Sequence, residues 1–179
     1  MMVLRSKTNR FRMLALLAVA GATLSACTPA PAPSPTPTAA FASEEEAFAA
    51  AEETYRAYNN AVNHQRLGDE SVDPLTFLTG DILDSERKTS QELEASGIRI
   101  NGDTVVTRFT GTDSTLGGPV AQVGATICLD ITQARAIDSS GADVTAPGRS
   151  DIYAIHATFT GDADQLSISE YEVQADVQC

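Results

Sequence analysis

The chain has 179 residues, with 12 lysines and arginines against 24 aspartates and glutamates, and no tryptophan. That length suits one domain with short appendages, and a hydrophobic content of 42% is enough to pack a core. The net charge of −12 repels phosphate, which argues against nucleic acid as a partner and against a charge-mediated grip on anionic lipid.

The basic residues are unevenly placed. Arg5, Lys7, Arg10 and Arg12 form a positive N-terminal region, and no acidic residue precedes Glu44. Met13 to Leu24 follows as an apolar run, too short for a membrane span of about 20 residues. Leu24-Ser25-Ala26-Cys27 closes it. This segment resembles a bacterial lipobox: Leu, a small residue, Ala or Gly, then Cys. The resemblance implies that residues 1–26 are a signal peptide and that the Cys27 thiol receives a diacylglyceryl group after cleavage. Two acyl chains on one residue anchor stably. The expected location is the extracytoplasmic face of the cell membrane. Loss of the four N-terminal cations takes the net charge from −12 to −16.

The cysteine count fits this reading. If Cys27 carries lipid, Cys128 and Cys179 remain of the three thiols. Outside the cytoplasm a disulfide is permitted, and on a chain-entropy model it would contribute about 4 kcal/mol. Two free buried cysteines are the alternative. No metal is implied, because two distant thiols and two scattered histidines show no ligand spacing.

Residues 27–40 read as the lipidated cysteine and its tether. Prolines at 29, 31, 33, 35 and 37 alternate strictly, which favours an extended, unpaired spacer. The folded domain is expected over 41–179. Ser43-Glu44-Glu45-Glu46 has the capping-box arrangement, and Ala47, Ala51, Tyr55, Tyr58 and Val62 recur on one helical face. The predicted helix spans about 43–67 and stops at Gly68. Its polar residues include Glu52, Glu53, Arg56, Asn59 and Asn63. Asp73-Pro74 opens a short helix near 74–79. A second helix is predicted from about 84 to 95, with Glu86, Arg87, Lys88, Glu92 and Glu94 as a solvated face.

From Ile98 onward the period changes from about 3.6 to 2. Ile98 and Ile100 alternate, and Asn101-Gly102 offers a tight turn. A strand through Val105 to Thr110 gives way to a loop at Gly111–Gly118. Ala121, Val123, Ala125, Ile127, Leu129 and Ile131 make one long inward row, which Ala136 and Ile137 continue raggedly. Tyr153, Ile155, Ala157 and Phe159 make another. The last strand changes phase between Ile168 and Tyr171, which predicts a β-bulge near Ser169–Glu170. The class is α+β: N-terminal helices packed on a curved antiparallel sheet.

Three stretches carry a resemblance to a known superfamily. They are Ala51-Glu52-Glu53-Thr54-Tyr55-Arg56-Ala57-Tyr58, then Cys128-Leu129-Asp130 with Ala136-Ile137-Asp138 and the turn to Gly141, and the terminal Tyr171-Glu172-Val173 ending in Cys179. Over about 43–179 the chain resembles the NTF2-like (cystatin-like cone) superfamily, and more narrowly the small actinobacterial lipoproteins built on that cone. The resemblance implies a pocket between the helices and the concave sheet. It also implies a cysteine on a middle strand paired with one at the C-terminus, and Cys128 and Cys179 match that layout.

Some members of the superfamily are dehydratases or isomerases that use an Asp or His base and a Tyr or Asp donor inside the cone. His156 is the candidate base here, provided its face is the concave one. Nucleotide-loop, serine-elbow and zinc motifs are absent from the sequence, and no cofactor is implied. Asp162 and Asp164 read as a hairpin turn. The candidate pocket lining is Tyr55, Tyr58, Phe109 and Tyr153, with Phe48 and Phe159. The expected role is binding a small apolar or neutral ligand, or an envelope protein, without catalysis. The alternatives are an isomerase- or dehydratase-like enzyme and a self-associating envelope module such as a homodimer. A cavity holding a histidine or carboxylate beside a tyrosine favours the enzyme. A closed apolar core favours the structural role.

Overall fold

A computed structural model describes residues 39–69 and 71–179. The expectations for the signal segment, for lipidation at Cys27 and for most of the proline tether lie outside these residues. Helix α1 spans Glu44–Arg66. The Ser43 hydroxyl accepts the Glu46 amide at 3.2 Å, and the Glu46 carboxylate reaches back to the Ala42 amide at 2.9 Å. The capping box therefore closes one residue outside the expected one. Ala47, Ala51, Tyr55 and Ala61 are buried, so the small side chains of the stripe let the helix lie close on the sheet.

A single 3-10 turn, Pro74–Phe77, is capped by the Asp73 carboxylate. Helix α2 runs Gly80–Ala95 and starts four residues before the expected position. Gly80 at φ +64° supplies the sharp entry, a conformation that costs glycine little. The helix has no buried residue, as its thin apolar content implies.

The strands are β1 Arg99–Asn101, β2 Val105–Thr115, β3 Ala121–Asp130, β4 Arg135–Ile137, β5 Ile152–Gly161 and β6 Leu166–Gln174. Four form an antiparallel sheet in the order β2-β3-β5-β6, while β1 pairs with β4 in a two-stranded ribbon. Asn101-Gly102 is therefore not a hairpin turn, since β1 and β2 belong to different sheets. Two differences from the sequence reading sit on β2. It continues through Gly111, because the Phe48 ring fills the space of the missing side chain: a Cβ there would lie 2.4 Å from the ring. A register shift at Val106/Arg108 also brings Val106 onto the inner face with Phe109 and Gly111, and a second follows at Gly111/Asp113. Such bulges bend a strand and curve its sheet.

The inner face carries Val123, Ala125 and Ile127 of β3 and Ile155, Ala157 and Phe159 of β5, all buried beneath α1. Core side chains span Phe41 to Ile168. A self-contained core of this size is that of an independently folding domain. On β6, Phe159 pairs with Ile168 and Thr158 with Glu170, which leaves Ser169 as the extra residue. The predicted bulge lies there, with the Ser169 hydroxyl on the Thr158 carbonyl at 3.1 Å.

Cys128 and Cys179 are at disulfide distance, with Cα atoms 5.6 Å apart. Cys128 points from the outer face of β3, and β5 lies between β3 and β6. The chain leaves β6 at Gln174, turns, and crosses over Ala154 to reach it. Arg108 holds this tail through the Gln178 carbonyl at 2.9 Å and contacts the Cys128 sulfur at 3.2 Å. Cys128 and Ala154 are consequently buried on an otherwise polar face.

Candidate functional site: a cavity lined by the four tyrosines

A cavity of about 750 Å³ lies between α1, α2, β1 and the inner face of β3, β5 and β6. All four tyrosines of the chain line it: Tyr55 and Tyr58 from α1, Tyr153 from β5 and Tyr171 from β6. Helical spacing places the first pair on one face, with ring centroids 5.8 Å apart in an edge-on arrangement. Tyr153 belongs to the inward row of β5. Tyr171 depends on the bulge. Strict alternation from Ile168 would turn residue 171 outward, and the extra residue at Ser169 restores it to the inner face beside Ala157.

Four charged side chains join them, Arg66, Glu86, Glu94 and Arg99, of which Glu86 and Arg66 are tied into the wall. Glu86 of α2 accepts a hydrogen bond from the Tyr171 hydroxyl, and Tyr58 stands beside both. The sequence reading left Glu86 on a solvated face. The structure instead turns it toward the sheet, where this bond ties a helix with no buried residue to β6. At the other side stands Arg66, from the last turn of α1. Its guanidinium donates to Thr104 Oγ1 at 2.9 Å and to the Gly102 carbonyl at 3.2 Å. Asn59 and Asn63 donate to the Thr104 carbonyl at 2.8 and 2.9 Å, and Asn63 accepts the Thr104 amide at 3.0 Å. The polar face of α1 thus satisfies the buried Thr104 and fixes the chain between β1 and β2.

Burial is the first cause of every pKa shift among these groups. It pushes the Tyr55 phenol well above its usual value, with Tyr58, Tyr153 and Glu86 adding to the effect. Tyr58 is raised by burial and by Glu86, against the opposing Tyr171 hydroxyl and Arg66. Tyr171 is raised by burial, Tyr58 and Glu86. Tyr153 is raised by burial, with Arg66 and Arg149 pulling the other way. Burial lowers the Arg66 guanidinium, which Tyr58, Tyr153 and the Asp103 carboxylate oppose. All four phenols therefore stay protonated at neutral pH and act as hydrogen-bond donors.

Of the candidate lining residues, Tyr55, Tyr58 and Tyr153 meet at this cavity. Phe109 does not. Its ring packs on Phe159, centroids 6.3 Å apart, as part of the core. Phe48 covers Gly111. His156 lies on the opposite face of the sheet, beside Thr112 at 3.4 Å and Asp113 at 4.0 Å. The inner row of β5 is the one packed on α1, so the condition that would have made His156 a base in the cone is not met. His64 sits at the end of α1 near Asp69, and Asp162 caps its own turn through the amides of Asp164 and Gln165. Sequence reasoning missed Tyr171, Glu86 and Arg66 as lining residues. The phase change on β6 was the available signal for Tyr171.

Among the described residues, no cluster of three His, Cys, Asp or Glu side chains is placed to hold a metal ion, and no helix is long and apolar enough to cross a membrane. No family model matches the chain, and no curated protein matches it. Among solved structures, it is similar to the intermembrane space region of the chloroplast protein ARC6. The identity is 17% and the TM-score 0.48, over 75% of this chain and 98% of that one. A likeness that distant carries no function across.

Proposed function

We propose that the chain is a lipid-anchored, extracytoplasmic protein of NTF2-like type whose cone holds a small, largely apolar ligand without transforming it. The observation that carries this reading is the gathering of all four tyrosines around one cavity. Its volume of about 750 Å³ lies within the usual range of small-molecule sites, roughly 300–1,000 Å³. Apolar side chains such as Leu129, Ile155 and Val173 supply the floor, and protonated phenols supply directional donors. The anchor rests on Leu24-Ser25-Ala26-Cys27 and the double-acyl logic above.

A second reading follows from Glu86 beside Tyr171 and Tyr58. A carboxylate next to phenols at a cavity is the pairing that an isomerase or dehydratase uses. Binding is favoured because Tyr171 already donates to Glu86 and the candidate base His156 stands on the opposite face of the sheet.

Two measurements test the proposal. The intact mass of the membrane form should show a diacylglyceryl adduct on residue 27, and Cys27→Ser should leave the protein unlipidated. An N-terminus elsewhere without lipid mass contradicts the anchor. Native mass spectrometry of residues 39–179, purified after export, should reveal a co-purifying small molecule that is released intact. Turnover of that molecule, abolished by Glu86→Gln with folding preserved, would install the enzyme reading instead.

A further inference from the structure

Among the described residues, one of the four phenols, Tyr171, has a hydrogen-bond partner. Tyr171 donates to Glu86, with Tyr58 beside the pair. Tyr55 is only 4% exposed and lines the cavity, yet among the described residues its hydroxyl has no hydrogen-bond partner. Tyr153, half-buried on the neighbouring part of the wall, likewise has no hydrogen-bond partner among the described residues. Both hydroxyls open onto the cavity, so water or a bound ligand must accept from them. Arg66 reinforces the same side. Among the described residues its hydrogen bonds go to neutral oxygens only, those of Asn63, Gly102 and Thr104. The lining carries Arg66 and Arg99 as cations and Glu86 and Glu94 as anions, with Glu86 already engaged by Tyr171.

Resting on the ligand-binding reading above, we propose that the cavity takes an amphipathic carboxylate, with its carboxylate against Arg66 and the Tyr153 and Tyr55 hydroxyls and its aliphatic chain along Leu129, Ile155 and Val173. Phenol and guanidinium donors match a carboxylate, which accepts through two oxygens. Burial supports this by holding the phenols in their donating form. The strongly acidic surface argues for a neutral or cationic ligand, but those charges are exposed and are screened beyond about 8 Å at physiological ionic strength. Inside the cavity the cation beside Tyr153 is Arg66. Val173 is 66% exposed on the inner edge of β6, which leaves an apolar margin where the chain of such a ligand would emerge.

The test uses three probes that share one alkyl chain and differ in their head: laurate, dodecanol and dodecyltrimethylammonium. Each is titrated calorimetrically into residues 39–179. Laurate is expected to bind about tenfold more tightly than dodecanol, the order expected for hydrogen bonds to a charged group. The ammonium probe should bind weakest. Tyr153→Phe should lower laurate affinity several-fold with dodecanol unchanged. Arg66→Gln should bring laurate down to the level of dodecanol. Dodecanol or the ammonium probe binding as tightly as laurate overturns the carboxylate assignment while leaving the cavity as a ligand site. Equal loss of laurate and dodecanol in Tyr153→Phe overturns it too, since that pattern reports a damaged wall. If none of the three binds while a co-purified molecule is still present by native mass spectrometry, this inference fails and the broader reading stands.

Discussion

Breaking the Cys128–Cys179 cross-link is expected to lower stability by about 2–5 kcal/mol. The loop it closes is long, with a sequence separation of 51 residues, so the unfolded chain gains much freedom when the link is lost. The folded state is affected as well, because the terminal tail covers the otherwise polar outer face around Ala154. Single and double variants distinguish a bond from two separate contributions. Cys128→Ala, Cys179→Ala and the double variant should lose the same stability to within about 0.5 kcal/mol, because each removes one shared interaction. Chemical denaturation measures this. Additive losses, or a double variant as stable as the wild type, would contradict the bond. Cys128 is fully buried beside Arg108, so the alanine there is the cleaner variant: it leaves no unpaired thiol under the tail.

The second large effect is expected at alkaline pH. Burial raises the pKa of all four tyrosines. In the unfolded chain they ionise near the ordinary value of about 10. Above that pH the unfolded state has lost protons that the folded state keeps, so stability falls as pH rises. Below it, both states are protonated and the contribution is fully present. The loss is about 1.4 kcal/mol per pH unit for each phenol that stays protonated in the fold. Tyr55, Tyr58 and Tyr171 are shifted furthest, so they hold their protons to the highest pH. In an ultraviolet titration the phenols should stay silent past pH 10 and then ionise together as the protein unfolds. Four independent transitions near the ordinary tyrosine value would show that the cavity wall is wet and open.

Much of this fold is legible in short-range chemistry. Ser43 and Glu46 announce the start of α1, Asp73-Pro74 the 3-10 turn, and the phase change between Ile168 and Tyr171 the bulge on β6. These signals work because each concerns residues that touch along the chain. The misreadings concern partners that are distant in sequence. Gly111 looks like a loop residue until Phe48 is seen resting on it. Ile100 suggests a hairpin with β2, but its partner is Ala136. Glu86 belongs to a run of charges that reads as a solvated face, and only the folded sheet, 85 positions along, brings Tyr171 to it. The wall of the cavity was half visible for the same reason. Tyr55 and Tyr58 share a helix face and Tyr153 an inward row, whereas Arg66 and Glu86 acquire their role only through tertiary packing. His156 alternates out of phase with Tyr153, and that phase placed it on the outer face once α1 was seen to cover the inner one.

The cavity can be read out by its own side chains. The chain has no tryptophan and four tyrosines, and every one of them lines the cavity. Intrinsic tyrosine emission therefore reports on this site alone. The direct measurement is the emission of residues 39–179 with the co-purified molecule bound, after its removal, and as it is added back. A saturable change that is complete at one equivalent, and altered by Tyr58→Phe, is the expected result. Emission that stays constant while native mass spectrometry shows the molecule binding would place the ligand elsewhere and contradict the tyrosine cavity as its site.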